Sequence, residues 1–229
     1  MTANNEIGTI QDIARLADIA HAHGAMFHTD AVQAVCRIPI DVKALDVDML
    51  SASAHKFNGP RGIGFLYIRK GIKVRPFMDG GGQENKNRAG TENTAAIVGM
   101  SIALMNNIQN MRNTSDSIRA LENLLITKLL EAGLVFKRNG VNTLPGLISL
   151  SFPHSSGEML LHRMDLKGIC ISTGSACDGS NDEISHVLQA IHLPDEYAKG
   201  TVRISLGKQN TESDIIKIAE SLKQILTPK

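Results

Sequence analysis

Val47-Asp48-Met49-Leu50-Ser51-Ala52-Ser53-Ala54-His55-Lys56 is a short apolar run, Val47 to Ser53, that ends on a histidine and a lysine. A run of that length with a turn signal behind it predicts a strand, and the signal here is Gly59-Pro60-Arg61-Gly62. A similar run, Ala25 to Thr29, precedes it and stops at Asp30, and a third, Ile63 to Ile68, follows the turn. Ahead of them Ile13, Leu16, Ala17 and Ala20 share one helical face, with Thr9 as the expected N-cap and Gly24 as the stop. Strands alternating with helices predict an α/β fold with a mostly parallel sheet. In such sheets functional groups gather beyond the carboxyl ends of the strands, which is where Asp30 and the His55-Lys56 pair fall.

Downstream, a glycine-rich stretch (Gly80-Gly81-Gly82-Gln83-Glu84) leads to a helical pattern from Thr94 to Met111 carried by Ile97, Met100, Leu104 and Ile108. The polar stretch Asn110 to Ser117 is the expected domain boundary, separating residues 1–112 from a small α/β domain at 113–229. In the latter the pattern predicts helices over Ile118–Ala132 and Gly157–Leu166 and strands over Leu147–Phe152, Ile169–Ser172 and Val202–Leu206. A last helix is capped by Thr211 and carries Ile215, Ile218, Leu222 and Ile225 on one face.

Composition narrows the function classes. Lysine and arginine total 24 against 23 acidic residues, so no field exists to hold nucleic acid or a membrane surface. Three cysteines, Cys36, Cys170 and Cys177, are too few for a disulfide framework. With no signal peptide or membrane-length apolar run, a cytoplasmic protein is expected.

Chemistry enters through an amine, a carboxylate and a thiol. The Lys56 amine can form a Schiff base with an aldehyde cofactor, and a carboxylate such as Asp30 can keep a pyridine nitrogen protonated; together they suggest pyridoxal 5'-phosphate. Taken singly, each has a plainer reading: a surface lysine at a strand end and a loop acid. Ser53 and His55 beside Lys56 make a polar cluster suited to a phosphate or a ring. Cys177, in Ser172-Thr173-Gly174-Ser175-Ala176-Cys177, has no bulky neighbour to cover it and suits an attacking thiolate. Arg203, in Val202-Arg203-Ile204-Ser205, suits a two-point grip on a carboxylate, its plain alternative being a surface arginine on an edge strand. Cys36 and Cys170 lie in apolar contexts and are expected to be inert core thiols. His21 and His23 diverge by about 200° on a helix, so no metal is expected there; they are read as partners of the helix dipole. The triple glycine lacks the Lys-Ser/Thr ending of a phosphate loop.

Asn4-Asn5-Glu6-Ile7-Gly8, His28-Thr29-Asp30-Ala31-Val32-Gln33, Ser53-Ala54-His55-Lys56, Gly80-Gly81-Gly82-Gln83-Glu84, Arg88-Ala89-Gly90-Thr91-Glu92-Asn93 and the Cys177 motif, in that order, resemble the group I cysteine desulfurases of the NifS/IscS kind. These are fold-type I pyridoxal-phosphate enzymes within the class V aminotransferases. The resemblance implies a large cofactor-binding domain followed by a small one. It implies that Lys56 carries the cofactor, Asp30 partners the pyridinium nitrogen, Gln33 donates to the ring hydroxyl, and Ser53 and His55 contact the phosphate. By the same resemblance Thr91 reaches the phosphate of a neighbouring subunit, so a homodimer is implied; Asn5 and Arg203 orient the carboxylate of L-cysteine, and Cys177 accepts the sulfur. The sulfur would pass to an acceptor or iron–sulfur scaffold protein, for cluster assembly or RNA thiolation. Two departures stand out. Asp182-Glu183-Ile184-Ser185-His186 replaces a Leu-Glu-Pro-Ser-His pattern and so lacks its rigid proline. The N-terminal part of the family chain, with several strands and half the cofactor pocket, is expected to be missing. A catalytically incomplete fragment with a structural or partner-binding role is therefore the alternative reading. An aminotransferase or selenocysteine lyase is a third, although aminotransfer needs no such cysteine.

Overall fold

The computed structural model describes residues 1–173 and 184–227. They form two compact units: one of Met1–Thr2 with Gln11–Met111, the other of Ala3–Ile10 with Arg112–Lys229. The expected division was at 112/113; the hairpin at 3–10 instead packs with the second unit, so Asn5 shares a unit with Arg203.

In the first unit helix α1 (Ile13–Ala22) is capped by Asp12, which accepts from the Arg15 N–H at 3.2 Å, and it buries Ile13 and Ala17. Thr9, the expected cap, is used elsewhere: its hydroxyl accepts from the Val141 N–H in the second unit's hairpin contact. Gly24, at φ +71°, ends the helix as expected. The sheet has three strands in the order β1 (His28–Asp30), β2 (Met49–Ser53), β3 (Gly64–Ile68). β2 is the middle strand, parallel to β1 with Asp30 opposite Ser51, and antiparallel to β3 with Ser53 opposite Gly64. Alternation decides its faces. Leu50 and Ala52 are buried, and Ser51 and Ser53 lie on the other side.

Helix α2 (Thr94–Glu131) is a single element of 38 residues. Two helices with a break at 110–117 were expected. The polar residues there cost only tenths of a kcal/mol each as helix formers, and no glycine or proline lies between Met100 and Ala132 to force a stop. The unit boundary falls within this helix, after Met111.

The second unit holds β4 (Lys137–Asn139), β5 (Leu147–Ser151), α3 (Gly157–Asp165), β6 (Ser172–Thr173), α4 (His186–Ala190), α5 (Asp195–Ala198), β7 (Thr201–Ser205) and α6 (Glu212–Leu226). Its sheet, ordered β4-β5-β7-β6, is antiparallel at every pairing. β5 is buried along its whole length. Ile148 and Leu150 join Val202 and Ile204 of β7, Leu125 and Leu129 of α2, and Leu160, Ile215 and Leu222 in one core. The alternate residues Ser149 and Ser151 are satisfied by the Asn139 amide at 3.0 and 2.7 Å, as buried polar groups must be. Thr211 caps α6 in a reciprocal box with Asp214, and the four expected apolar residues are buried.

Two charge clusters tie these elements together. In the first unit His21 lies between two carboxylates, with Nε2 2.8 Å from Asp48 and Nδ1 3.1 Å from Asp46, while Arg69 reaches Asp46 at 2.6 Å and Asp48 at 3.4 Å. The Phe27 N–H also donates to Asp48, at 2.7 Å, and holds that carboxyl below its usual range, with His21 adding to the effect. In the second unit Glu122, fully buried, pairs with Arg138 and Arg119 and accepts from the Gly146 N–H at 3.3 Å.

Two stability predictions follow from these clusters. The hydrogen bond to Asp48, together with the nearby carboxylates, raises the His21 pKa above its ordinary 6.5. A group whose folded pKa is raised stabilises the fold fully below its unfolded pKa, and that contribution is lost as pH rises through the folded value. The urea midpoint should therefore decline as pH rises above about 6.5, with a shallower decline in H21Q; parallel profiles would refute the assignment. Glu122→Ala strips two arginines and a buried N–H of their acceptor and should cost about 3 kcal/mol in denaturant unfolding.

Candidate functional site

The sequence-predicted residues fall into two groups, one in each unit. In the first, Asp30 closes β1, half-buried, with its Oδ1 accepting from the Val32 N–H at 2.8 Å. The Ala31 N–H donates to the Ser51 carbonyl at 2.9 Å, so the chain leaving β1 stays tied to β2 as it turns toward Gln33. Ser53 closes β2, and its hydroxyl lies 2.8 Å from His55 Nδ1.

Lys56 stands on the single 3-10 turn Ala54–Phe57. Ala54 and Phe57 are buried anchors, leaving His55 and Lys56 exposed between them. The turn closes on the Ala54 carbonyl, which accepts from the Asn58 N–H and, at 2.8 Å, from the Gly59 N–H. A Cβ at Gly59 would sit 2.9 Å from that of Ala54, so only glycine fits. From behind, the Asn107 amide of α2 donates to the Phe57 carbonyl at 2.8 Å, and Gly99 lets the helix approach Pro60. The Lys56 amine is thereby fixed at its root, and its tip is engaged by no carboxylate among the described residues. An uncommitted amine, a carboxylate and a hydroxyl–imidazole pair at adjacent strand ends fit the aldehyde, pyridine nitrogen and phosphate of pyridoxal phosphate. Thr91 is exposed on the segment that begins where Ala89 donates to the Met78 carbonyl, and no hydrogen bond joins it to this group among the described residues.

The second group is built on Arg203 of β7. It is half-buried and lies in register with Ser149 of β5 on one side and Ser172 of β6 on the other. Nη1 donates to the Asn5 carbonyl at 2.9 Å and Nη2 to the Ser172 hydroxyl at 3.5 Å. Nε is buried and has no hydrogen-bond partner among the described residues. Asn5 thus meets Arg203 through its main chain. It sits at the tip of the hairpin at 3–10, where the Asn4 side chain accepts from the Glu6 and Ile7 N–H groups at 2.8 and 2.9 Å. Gly8 at φ +74° completes the turn in a space where a Cβ would lie 3.1 Å from Leu147. Cys177 lies outside the described residues, as do Asp182 and Glu183 of the altered motif.

Sequence reasoning missed Glu6, Ser185 and Asn107. Glu6 is buried, and Ser185 donates to its carboxylate at 2.5 Å while capping α4 through the Val187 N–H. The only signal was the place of Glu6 within the Asn4–Gly8 motif. The remaining cysteines divide. Cys36 is half-buried, and burial pushes its thiol up to about 11, leaving it protonated. Cys170 was expected in the core and is instead exposed, because the strand there begins two residues later, at Ser172.

The family model described as aminotransferase class-V matches residues 1–218. A cysteine desulfurase IscS from Dictyoglomus turgidum is 46% identical over 99% of this chain and 58% of its own length. The chain therefore spans less than two thirds of the curated relatives it matches. Among solved structures, a NifS-like protein from Rickettsia africae superposes with a TM-score of 0.89 at 35% identity, covering 98% of this chain and 60% of the other. The structure of SspA in complex with cysteine gives 0.74 at 34% identity, over 92% and 58%.

Asn107→Ala removes the clamp on the Lys56 turn. It should cost about 1 kcal/mol and speed amide hydrogen exchange at Asn58 and Gly59, whose N–H groups close the turn. Unchanged exchange there would mean that α2 does not hold the lysine in place.

Proposed function

We propose that this chain, which belongs to the aminotransferase class-V family and has the mixed α/β fold of NifS-like proteins, acts as a pyridoxal-phosphate-dependent cysteine desulfurase. The observation that carries the reading is the Nε of Arg203, buried and without a hydrogen-bond partner among the described residues, on a guanidinium whose Nη1 is bound to the Asn5 carbonyl. An uncommitted buried cationic donor calls for an anionic acceptor, and an amino-acid carboxylate meets that need. The relatives' names and the cysteine bound to SspA support L-cysteine as that amino acid.

Pyridoxal phosphate, when bound, supplies an electron sink for bond breaking at the substrate. Lys56 would hold it and, once released by the substrate amine, move the proton at the substrate Cα. Asp30 would keep the ring nitrogen protonated, Gln33 would donate to the ring hydroxyl, and Ser53 and His55 would hold the phosphate. Thr91 would reach the phosphate of a second subunit in a homodimer. Asn5 and Arg203 orient the carboxylate. The Cys177 thiol takes the substrate sulfur as a persulfide, and the carbon skeleton leaves as L-alanine, so that cysteine plus thiol equals alanine plus persulfide. The persulfide would serve an acceptor or iron–sulfur scaffold protein in the cytoplasm.

Incubation with pyridoxal phosphate followed by borohydride reduction should leave one mass adduct, on Lys56. Supplied with L-cysteine and an excess of a dithiol reductant, which reduces the persulfide to free thiol and sulfide, the loaded protein should release alanine and sulfide, and Cys177→Ser should lower sulfide release by about 100-fold or more. Adducts scattered over surface lysines would favour the incomplete fragment, and full turnover in Cys177→Ser would remove the desulfurase assignment.

A further inference from the structure

The hairpin at 3–10 is held at its base by backbone bonds: Ala3 bridges Ile10, Thr9 bridges Thr143, and the Leu144 N–H donates to the Gly8 carbonyl at 2.9 Å. Its tip has two further attachments, on different elements. The Asn5 carbonyl is bound by Arg203 of β7 at 2.9 Å, and the next residue, Glu6, accepts from Ser185 at the start of α4 at 2.5 Å. Glu6 is only 5% exposed, so its carboxylate is out of bulk water and the Ser185 hydroxyl is a donor it depends on. A hydroxyl-to-carboxylate bond of this length is among the stronger protein hydrogen bonds.

We infer that Glu6, through Ser185, is the positioning residue that sets the Asn5 carbonyl against Arg203 and so holds the guanidinium with its Nε free to receive a carboxylate. The inference rests on the reading of Arg203 as the carboxylate-binding arginine. Asn5 and Glu6 are consecutive in a turn whose N–H groups are already fixed by the Asn4 side chain, so the tip moves as one piece. Releasing Glu6 from α4 lets the Asn5 carbonyl drift from Nη1, and the fork rotates to seek another acceptor. Ser172, on the opposite side of Arg203, cannot hold the fork by itself at 3.5 Å. The same two serines, Ser172 and Ser185, stand just outside residues 174–183, which carry Cys177 in the sequence.

The test is a carboxylate-binding measurement on the full chain that needs no turnover. Arg203 is modified with phenylglyoxal, the adduct is mapped by mass spectrometry, and the concentration of L-alanine that half-protects it is determined. Glu6→Leu and Ser185→Ala should each raise that concentration about tenfold. Glu6→Gln and Ser185→Thr, which keep an acceptor and a donor, should stay within about twofold of the parent. Thermal midpoints are recorded alongside. If the parent is protected and Ser185→Ala is protected equally well, the positioning role is refuted while the carboxylate reading survives. If Ser185→Thr fails as badly as Ser185→Ala, the effect is one of packing and the hydrogen-bond role is refuted. If the parent itself is not protected, Arg203 does not bind a carboxylate, and both inferences fall together.

Discussion

A guanidinium placed in the middle of an antiparallel sheet governs the second unit. Arg203 lies between Ser149 and Ser172 in the register of three strands, and its five N–H donors must be met where water is scarce. The fold answers by bringing the hairpin at 3–10 to Nη1 and a β6 hydroxyl to Nη2. The hairpin in turn needs a floor, which the 141–146 segment provides, and that segment is held by the Glu122 cluster through Thr143 and Gly146. A buried acid on one helix is thus connected, bond by bond, to the residue that faces the arginine.

The first unit solves a different problem. Its sheet has charge at one end and reactive groups at the other. Asp48, just ahead of β2, pairs with His21, with the Phe27 N–H just ahead of β1 and with Arg69 just after β3, and so ties the three strands together at one edge. The opposite edge is left to Asp30, Ser53 and the Lys56 turn, where no carboxylate among the described residues pairs with the lysine. Such a separation lets the strand ends carry uncommitted groups while the sheet draws its stability from elsewhere.

The elements that could be read from the chain were those with strong local signals. β2, β3 and α6 were legible because apolar alternation, the Gly59–Gly62 turn and the Thr211 cap each act within a few residues. The polar stretch 110–117 does hold the unit boundary, after Met111, but α2 runs through it, because a helix ends only where its backbone is blocked or its packing ceases. α4, α5 and β4 were missed because they are one to two turns or three residues long, too short for a period to show. Among the candidate groups, Lys56, Asp30 and Arg203 stand out in the sequence by their chemistry, and the structure places them at strand ends or within a strand. Glu6 and Ser185 do not stand out, since 179 residues separate them and no local pattern announces such a pairing. His21 lies in the last turn of α1, where the helix dipole favours it, and its two aspartates, likewise distant in sequence, make it a cross-link between elements as well.

The choice of arginine over lysine at position 203 follows from this geometry. A lysine ammonium could meet the Asn5 carbonyl or a ligand, but its donors radiate from one atom and hold no fixed plane. The guanidinium spreads its donors over three nitrogens in a rigid fork: Nη1 is spent on the hairpin, Nη2 reaches toward β6, and Nε remains. With Nη1 tied to the hairpin and Nη2 near a β6 hydroxyl, the plane of the fork is set by protein acceptors, which a point-like ammonium could not achieve. A partner without charge compensates a buried cation less well than an anion does, because hydrogen bonds between ionised groups are the stronger ones.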